Sequence, residues 1–248
     1  MAEVLKNIRL ILAYDGTHYH GWQRQKRGVT IQGVIEEKLQ VMVGESVKLL
    51  ASGRTDAGVH AVNQVCNFKT GSSIKPEAIR KGLNSLLPDD ILIKDAEHVP
   101  FDFHARYGAR SKTYEYRVLN RPAPDIFQRR YVWHVRTGLD IQKMEKCLSF
   151  LEGKHDFSAF QSSGSDITDP VRSMTGAAMN AEEGLLRFVF HADGFLRHMV
   201  RNIVGTIIEV GLGKTDPERF KVIFDSKDRR LAGVKAPARG LFLMHVQY

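Results

Sequence analysis

The sequence predicts an α+β chain in which one element order, β-α-β-β-α-β, occurs twice. Three observations carry that expectation. Apolar residues alternate with period two in several short runs, which marks strands. Other runs place apolar residues at helical spacing between cap and stop residues. The two kinds of run follow the same order in residues 1–105 and in residues 106–248, although the sequence itself does not repeat.

In the first half, Ile8, Leu10, Leu12 and Tyr14 alternate as a strand that ends at the turn pair Asp15-Gly16. Thr30 can cap a helix with apolar positions Ile31, Val34, Ile35, Leu39 and Met42, and Gly44 suits its C-terminal stop. Short strands are expected near 46–51 and 62–68. Pro76 sits near the start of a helix running to Leu87, and a strand near 91–98 closes the set. In the second half, residues 107–119 read as a strand, and Asp140 can cap a helix through Leu151. Strands near 174–180 and 185–191 flank the turn-like Glu183-Gly184. Phe195, Leu196, Met199, Val200, Ile203, Val204, Ile207 and Ile208 then trace one helical stripe ended by Gly211. An extra helix starts at Asp216-Pro217, and the last strand spans 241–247. Each half therefore has the ferredoxin-like order, in which helices cover one face of an antiparallel sheet. Two such sheets, joined, offer a broad cleft on the other face. The polar run Gln161-Ser162-Ser163-Gly164-Ser165-Asp166 and the stretch around Pro122 and Pro124 read as loops.

The 248 residues, 43% hydrophobic and 26% charged, can bury a core without metal or disulfide staples. No window approaches the roughly 18 apolar residues of a membrane span. Met1 to Leu12 lacks the apolar core of a signal peptide. Cys66 and Cys147 are too few and too far apart for a disulfide framework or a zinc site. A cytoplasmic location follows as the expectation. The net charge of +8 is unevenly placed: residues 1–105 hold 13 Lys and Arg against 12 Asp and Glu, residues 106–248 hold 23 against 16. Eight bases crowd residues 106–136, Arg106, Arg110 and Lys112 among them, with only Glu115 and Asp125 opposed. Such a concentration suits a polyanion, because each phosphate contact releases condensed counterions. A solvated basic face without a partner has the same composition.

The connection between the first half's middle strands is longer than a hairpin needs. It runs Ser52-Gly53-Arg54-Thr55-Asp56-Ala57-Gly58-Val59-His60-Ala61, ten residues holding an Arg, an Asp and a His. By itself it reads as a long turn in which Asp56 makes a local Asx-type hydrogen bond. A Ser52/His60/Asp56 hydrolase site would need a recognisable nucleophile elbow, and none is present. His18 and His20 lack further ligands nearby for a metal site.

The string Gly53 to Ala61 resembles the catalytic motif of the tRNA pseudouridine synthase A family. Further segments resemble that family in its order: Tyr14-Asp15-Gly16, Gly21-Trp22-Gln23, Thr30-Ile31-Gln32, Leu83-Asn84 and Leu87-Pro88. So do Phe103-His104-Ala105-Arg106, Lys112-Thr113-Tyr114-Glu115-Tyr116, His155-Asp156-Phe157, Met199-Val200-Arg201-Asn202 and Gly240-Leu241. The resemblance implies the pseudouridine synthase fold and an isomerase, formally an intramolecular transferase. It implies action on uridines 38, 39 and 40 of the tRNA anticodon stem-loop by a homodimer. Breaking the N1–C1′ bond and rejoining uracil through C5 involves no redox change, so no nucleotide, flavin or metal cofactor is expected. The chain carries no dinucleotide or phosphate-binding glycine motif.

The same resemblance assigns the chemistry to Asp56, which acts at the sugar either by adding at C1′ or by taking a proton from C2′. It gives Arg201 as the cation that keeps Asp56 ionised, whereas an interface arginine covering its helix is the bland alternative. It places Tyr114 against the uracil, with Tyr116, which shares its facing by period two, as the rival. Leu241 resembles an apolar residue lining the uracil pocket, and a terminal-strand leucine is otherwise core. Arg54 fits either a wedge that fills the space left by a flipped base or a simple phosphate contact. Arg106, Arg110 and Lys112 would hold the RNA backbone. A noncatalytic RNA-binding protein of this fold would not need Asp56, Arg201 and Tyr114 together.

Overall fold

The computed structural model describes residues 5–164 and 169–248, so Met1–Val4 and the Ser165-Asp166 end of the polar run lie outside the described residues. The described residues form a mixed α+β protein of ten strands and five α-helices. The chain divides into two compact units, Met1–Arg110 with Leu243–Tyr248, and Ser111–Phe242. No helix among the described residues is long and apolar enough to cross a membrane.

The first unit begins with β1 (Lys6–Tyr14), α1 (Ile31–Val43), β2 (Leu50–Ala51) and β3 (His60–Thr70). It continues with α2 (Pro76–Leu86) and β4 (Ile91–Val99). β1 lies between β3 and β4 and is antiparallel to both, with Leu10 opposite Cys66 on one side and Ala96 on the other. The alternation Ile8, Leu10, Leu12 is fully buried, as are Ile35 and Leu39 of α1 and Ile79 and Leu83 of α2. Thr30 caps α1 by accepting from Gly33 N, and Gly44 ends it in the left-handed region at φ 74°.

β2 is far shorter than the strand expected over 46–51. The reason is local competition for the backbone: Leu49 N donates to Glu36 Oε1 (2.9 Å) and Leu49 O accepts from Gln32 Nε2 (3.3 Å). Two α1 side chains thus take the groups a strand ladder would need. Leu50 and Ala51 alone pair with β3, opposite Asn67 and Cys66.

The second unit opens with β5 (Ser111–Asn120), β6 (Trp133–Val135), α3 (Ile141–Ser149), β7 (Gly153–Asp156) and β8 (Val171–Glu182). It goes on to β9 (Leu185–Ala192), α4 (Met199–Gly211), α5 (Pro217–Ser226) and the start of β10 (Leu241–Gln247). β9 lies antiparallel between β5 and β8, β7 pairs the far side of β8, and β6 runs parallel on β5. The short strands β6 and β7 carry too few residues for a period-two signal and have no counterpart in the sequence reading. α4 starts at Met199 rather than Phe195, because His198 sits in the left-handed region at φ 62°. Likewise β5 starts at Ser111 rather than 107, since residues 101–108 turn, with Gly108 N donating to His104 O. α4 is buried nearly all round, as its apolar sequence requires. Phe157, Phe160, Phe220 and Phe224 cluster beside it with ring centroids 5.1 to 5.7 Å apart.

Candidate active site

Eight residues, Ser52–Val59, connect β2 to β3 in the first unit; His60 and Ala61 belong to β3. The loop is not free to close as a tight hairpin because its backbone is tied to the segment after β1. Trp22 N donates to Thr55 O (3.0 Å), Gly58 N to Tyr19 O (3.3 Å), and Val59 N closes a turn onto Asp56 O (3.1 Å). These approaches need glycine. A Cβ at Gly16 would stand 2.0 Å from Val59 O, and one at Gly21 would stand 2.6 Å from Thr55 O.

A buried polar network fixes the loop from below. Tyr14 Oη lies 2.8 Å from Thr55 Oγ1. Gln64, fully buried on β3, accepts from Ser52 Oγ (2.7 Å) and donates to Gly53 O (3.0 Å). Burial pushes the Tyr14 phenol up to about 12, so it remains a neutral hydroxyl across ordinary pH. Buried His60 accepts from Gly16 N through Nδ1 (3.1 Å), and the same nitrogen lies 3.0 Å from Asp15 Oδ1. Through that nitrogen His60 joins the end of the loop to the turn after β1. Asp56 is half-buried on this scaffold and Arg54 is exposed two residues before it. Sequence reasoning did not single out Tyr14, Thr55 or Gln64 for this supporting role, although Tyr14 and Thr55 lie in the quoted segments; a polar group at a strand position facing a core is the signal that Tyr14 and Gln64 give.

In the second unit, Tyr114 and Tyr116 share one facing of β5, and the structure separates them. Tyr116 is fully buried and donates its hydroxyl to Pro237 O at 2.6 Å. Burial raises its phenol well above the usual range, and Gly240 packs so close that a Cβ there would stand 2.7 Å from Tyr116 Cζ. Tyr116 therefore supports the turn leading into Leu241. Tyr114 retains slight exposure, with its ring edge-on to Phe195 at 4.9 Å between centroids. Replacing Tyr116 by Phe leaves the Pro237 carbonyl without its donor. The expected cost is about 1–2 kcal/mol of stability, read from urea unfolding. A neutral result would show that water satisfies that carbonyl.

Arg201 lies in the first turn of α4 and is only 8% exposed. Its Nε donates to Ala236 O (2.8 Å), while Ala236 N donates back to Arg201 O (3.1 Å). That pair of bonds ties the first turn of α4 to the segment before β10. Leu241, 7% exposed, begins β10.

The predicted residues thus fall in two groups. Arg54 and Asp56 share one loop of the first unit, which also holds exposed Arg106 and Arg110. Tyr114, Arg201, Leu241 and half-buried Lys112 belong to the second. The basic segment is not uniformly displayed. Arg117 pairs with Glu115 (2.6 Å) and lies over the Phe242 ring, and Arg121 pairs with Asp125 (3.1 Å). Arg106, Arg110, Arg129, Arg130 and Arg136 are exposed.

A family model described as tRNA pseudouridine synthase matches residues 10–108 and 148–248. The protein named tRNA pseudouridine synthase A of Acetivibrio thermocellus is 45% identical over 244 residues, covering 98% of this chain and 100% of that protein. tRNA pseudouridine synthase A 2 of Clostridium perfringens is 46% identical with the same coverage. tRNA pseudouridine synthase A of a Geobacillus strain is 45% identical, covering 98% of each chain. Both matched segments contain residues singled out above, Asp56 in the first and Arg201 in the second, and the chain belongs to the tRNA pseudouridine synthase family.

Proposed function

We infer that this protein isomerises uridine to pseudouridine in tRNA, with the anticodon stem-loop, positions 38, 39 and 40, as its target. The observation that carries this reading is the build of the Asp56 loop. It is a half-buried carboxylate on a backbone locked by a buried polar network, within a chain matched over nearly its full length by proteins named tRNA pseudouridine synthase A. In this reading residues 1–105, in the order β-α-β-β-α-β, are one ferredoxin-like module bearing Arg54 and Asp56, and residues 106–248, which add β6, β7 and α5 to that order, are a second bearing Tyr114, Arg201 and Leu241. The reading includes a homodimer working in the cytoplasm.

In this scheme the target uridine leaves the stack, and Arg54 fills the vacated space or holds the adjoining phosphate. The N1–C1′ bond breaks, the freed uracil turns, and C5 bonds to C1′. The C5 proton departs and N1 is left bearing a hydrogen, so composition is conserved. Asp56 acts at the sugar, at C1′ or at the C2′ proton. Arg201, already oriented by Ala236, is the cation that keeps the carboxylate charged. Tyr114 packs its ring on the uracil with its hydroxyl near the departing proton, and Leu241 supplies apolar wall. Arg106, Arg110 and Lys112 grip phosphates without reading sequence.

The test is nucleotide-resolution mapping of pseudouridine on unmodified tRNA transcripts incubated with the protein. New pseudouridine at 38–40 is expected. Modification confined to other positions would overturn the anticodon assignment, and none at all would overturn the activity.

A further inference from the structure

The first unit carries, apart from the Asp56 loop, a cleft of about 410 Å³ lined chiefly by Phe103, His104, Tyr107 and Tyr248. Tyr107 is 77% exposed, yet its ring is not loose: it lies against the His104 ring with centroids 4.4 Å apart. His104 Nδ1 accepts from the backbone N–H groups of Arg106 (3.1 Å) and Tyr107 (3.4 Å). With Nδ1 accepting these bonds, Nε2 is the ring nitrogen left to face outward contacts. Phe103 and Tyr248 form the neighbouring wall, 5.0 Å between centroids, with Tyr248 donating its hydroxyl to Ala105 O (2.7 Å).

Two buried amides hold this turn in shape. Asn67 Oδ1 accepts from Ala105 N (2.9 Å) and Asn67 Nδ2 donates to Asn7 Oδ1 (2.9 Å). Asn7 Nδ2 in turn donates to Phe103 O (2.9 Å) and Pro100 O (3.1 Å). Satisfied polar networks of this kind specify one conformation. The surroundings are cationic: the Arg106 guanidinium carbon is 5.7 Å from the Tyr107 centroid, Arg110 is exposed, and Lys69 lies over the exposed Phe101 ring. Among the described residues, Asp102 is the one acid lining the cleft.

A fixed aromatic face open to water, beside cations and above a rigid floor, has the form of a base-stacking platform. We propose that this cleft takes an unstacked nucleobase of the bound RNA, distinct from the uridine that reacts. The base stacks on the outer face of Tyr107 while Arg106 and Arg110 hold the adjoining phosphates. An aromatic peptide side chain would fill the same volume but would leave those cations without counter-charge. The inference rests on the tRNA reading above and adds a second place where the enzyme handles a base.

Tyr107→Ala is expected to weaken binding of unmodified tRNA about tenfold, the scale of one lost base–aromatic stack. Tyr107→Trp should bind as wild type, and its added fluorescence should be quenched by tRNA but not by heparin, a polyanion without bases. Unchanged affinity in Tyr107→Ala, or no quenching by tRNA, overturns the proposal. So does conversion of a dimer to monomer by Tyr107→Ala in sedimentation, which would make the cleft an interface between copies. Quenching by tRNA together with no pseudouridine formation by the wild type would support the platform while removing the enzymatic reading.

Discussion

Asp56→Asn is expected to lower pseudouridine formation roughly 10³-fold while leaving the fold and tRNA binding in place. The substitution keeps side-chain size and removes the charge and nucleophilicity. The contacts that hold the loop are made by Tyr14, Thr55, Ser52, Gln64 and backbone groups, and Val59 N bonds to the main-chain oxygen of Asp56. None of these depends on an ionised carboxylate, so the loop should keep its backbone path in the variant. Single-turnover assays on unmodified tRNA, read alongside filter binding, separate the two effects. An Asn variant working at the normal rate would remove Asp56 from the chemistry. The wild-type enzyme also distinguishes the two routes at the sugar. Deuterium at C2′ slows the reaction if the carboxylate takes that proton and leaves the rate unchanged if it adds at C1′.

Local signals in the sequence located most elements because their causes are local. Thr30, Asp140 and Asp216 cap their helices through bonds to residues three positions on. Glu183 and Gly184 turn between β8 and β9 with positive φ, as the pair suggested. What stayed hidden depends on distant partners. Leu49 leaves the ladder because of Glu36 and Gln32, and residues from Leu243 onward join the first unit through bonds such as Asn63 Nδ2 to Met244 O. At the site, the glycine-flanked Asp56 string was visible, whereas its support came from isolated polar residues on β1 and β3. Period two gives Tyr114 and Tyr116 the same facing and says nothing of the bond from Tyr116 to Pro237, more than a hundred residues away.

That dependence on support makes Gly16→Ala the second severe substitution, although Gly16 is not among the reacting residues proposed. Its φ is not positive, so backbone strain is not the issue. The obstacle is space: the new methyl would stand 2.0 Å from Val59 O and 2.7 Å from Val59 C, both main-chain atoms that no rotamer change can move. The loop must retreat by about 1 Å, which pulls on the Gly16 N to His60 bond and on the turn between Asp56 and Val59. Overpacking of this kind costs roughly 1–3 kcal/mol. Displacing the carboxylate by about 1 Å is worth roughly a further 10²-fold in rate. Gly44→Ala supplies the comparison. That residue sits at φ 74° with nothing within 4 Å of its Cβ position, so alanine there strains a helix end by about 1 kcal/mol without touching the loop. With both variants assayed at a temperature where circular dichroism shows them folded, Gly44→Ala should isomerise uridine at the wild-type rate and Gly16→Ala should not. Equal rates in the two would mean that the Asp56 loop tolerates an ångström of displacement, and that its buried network serves folding rather than catalysis.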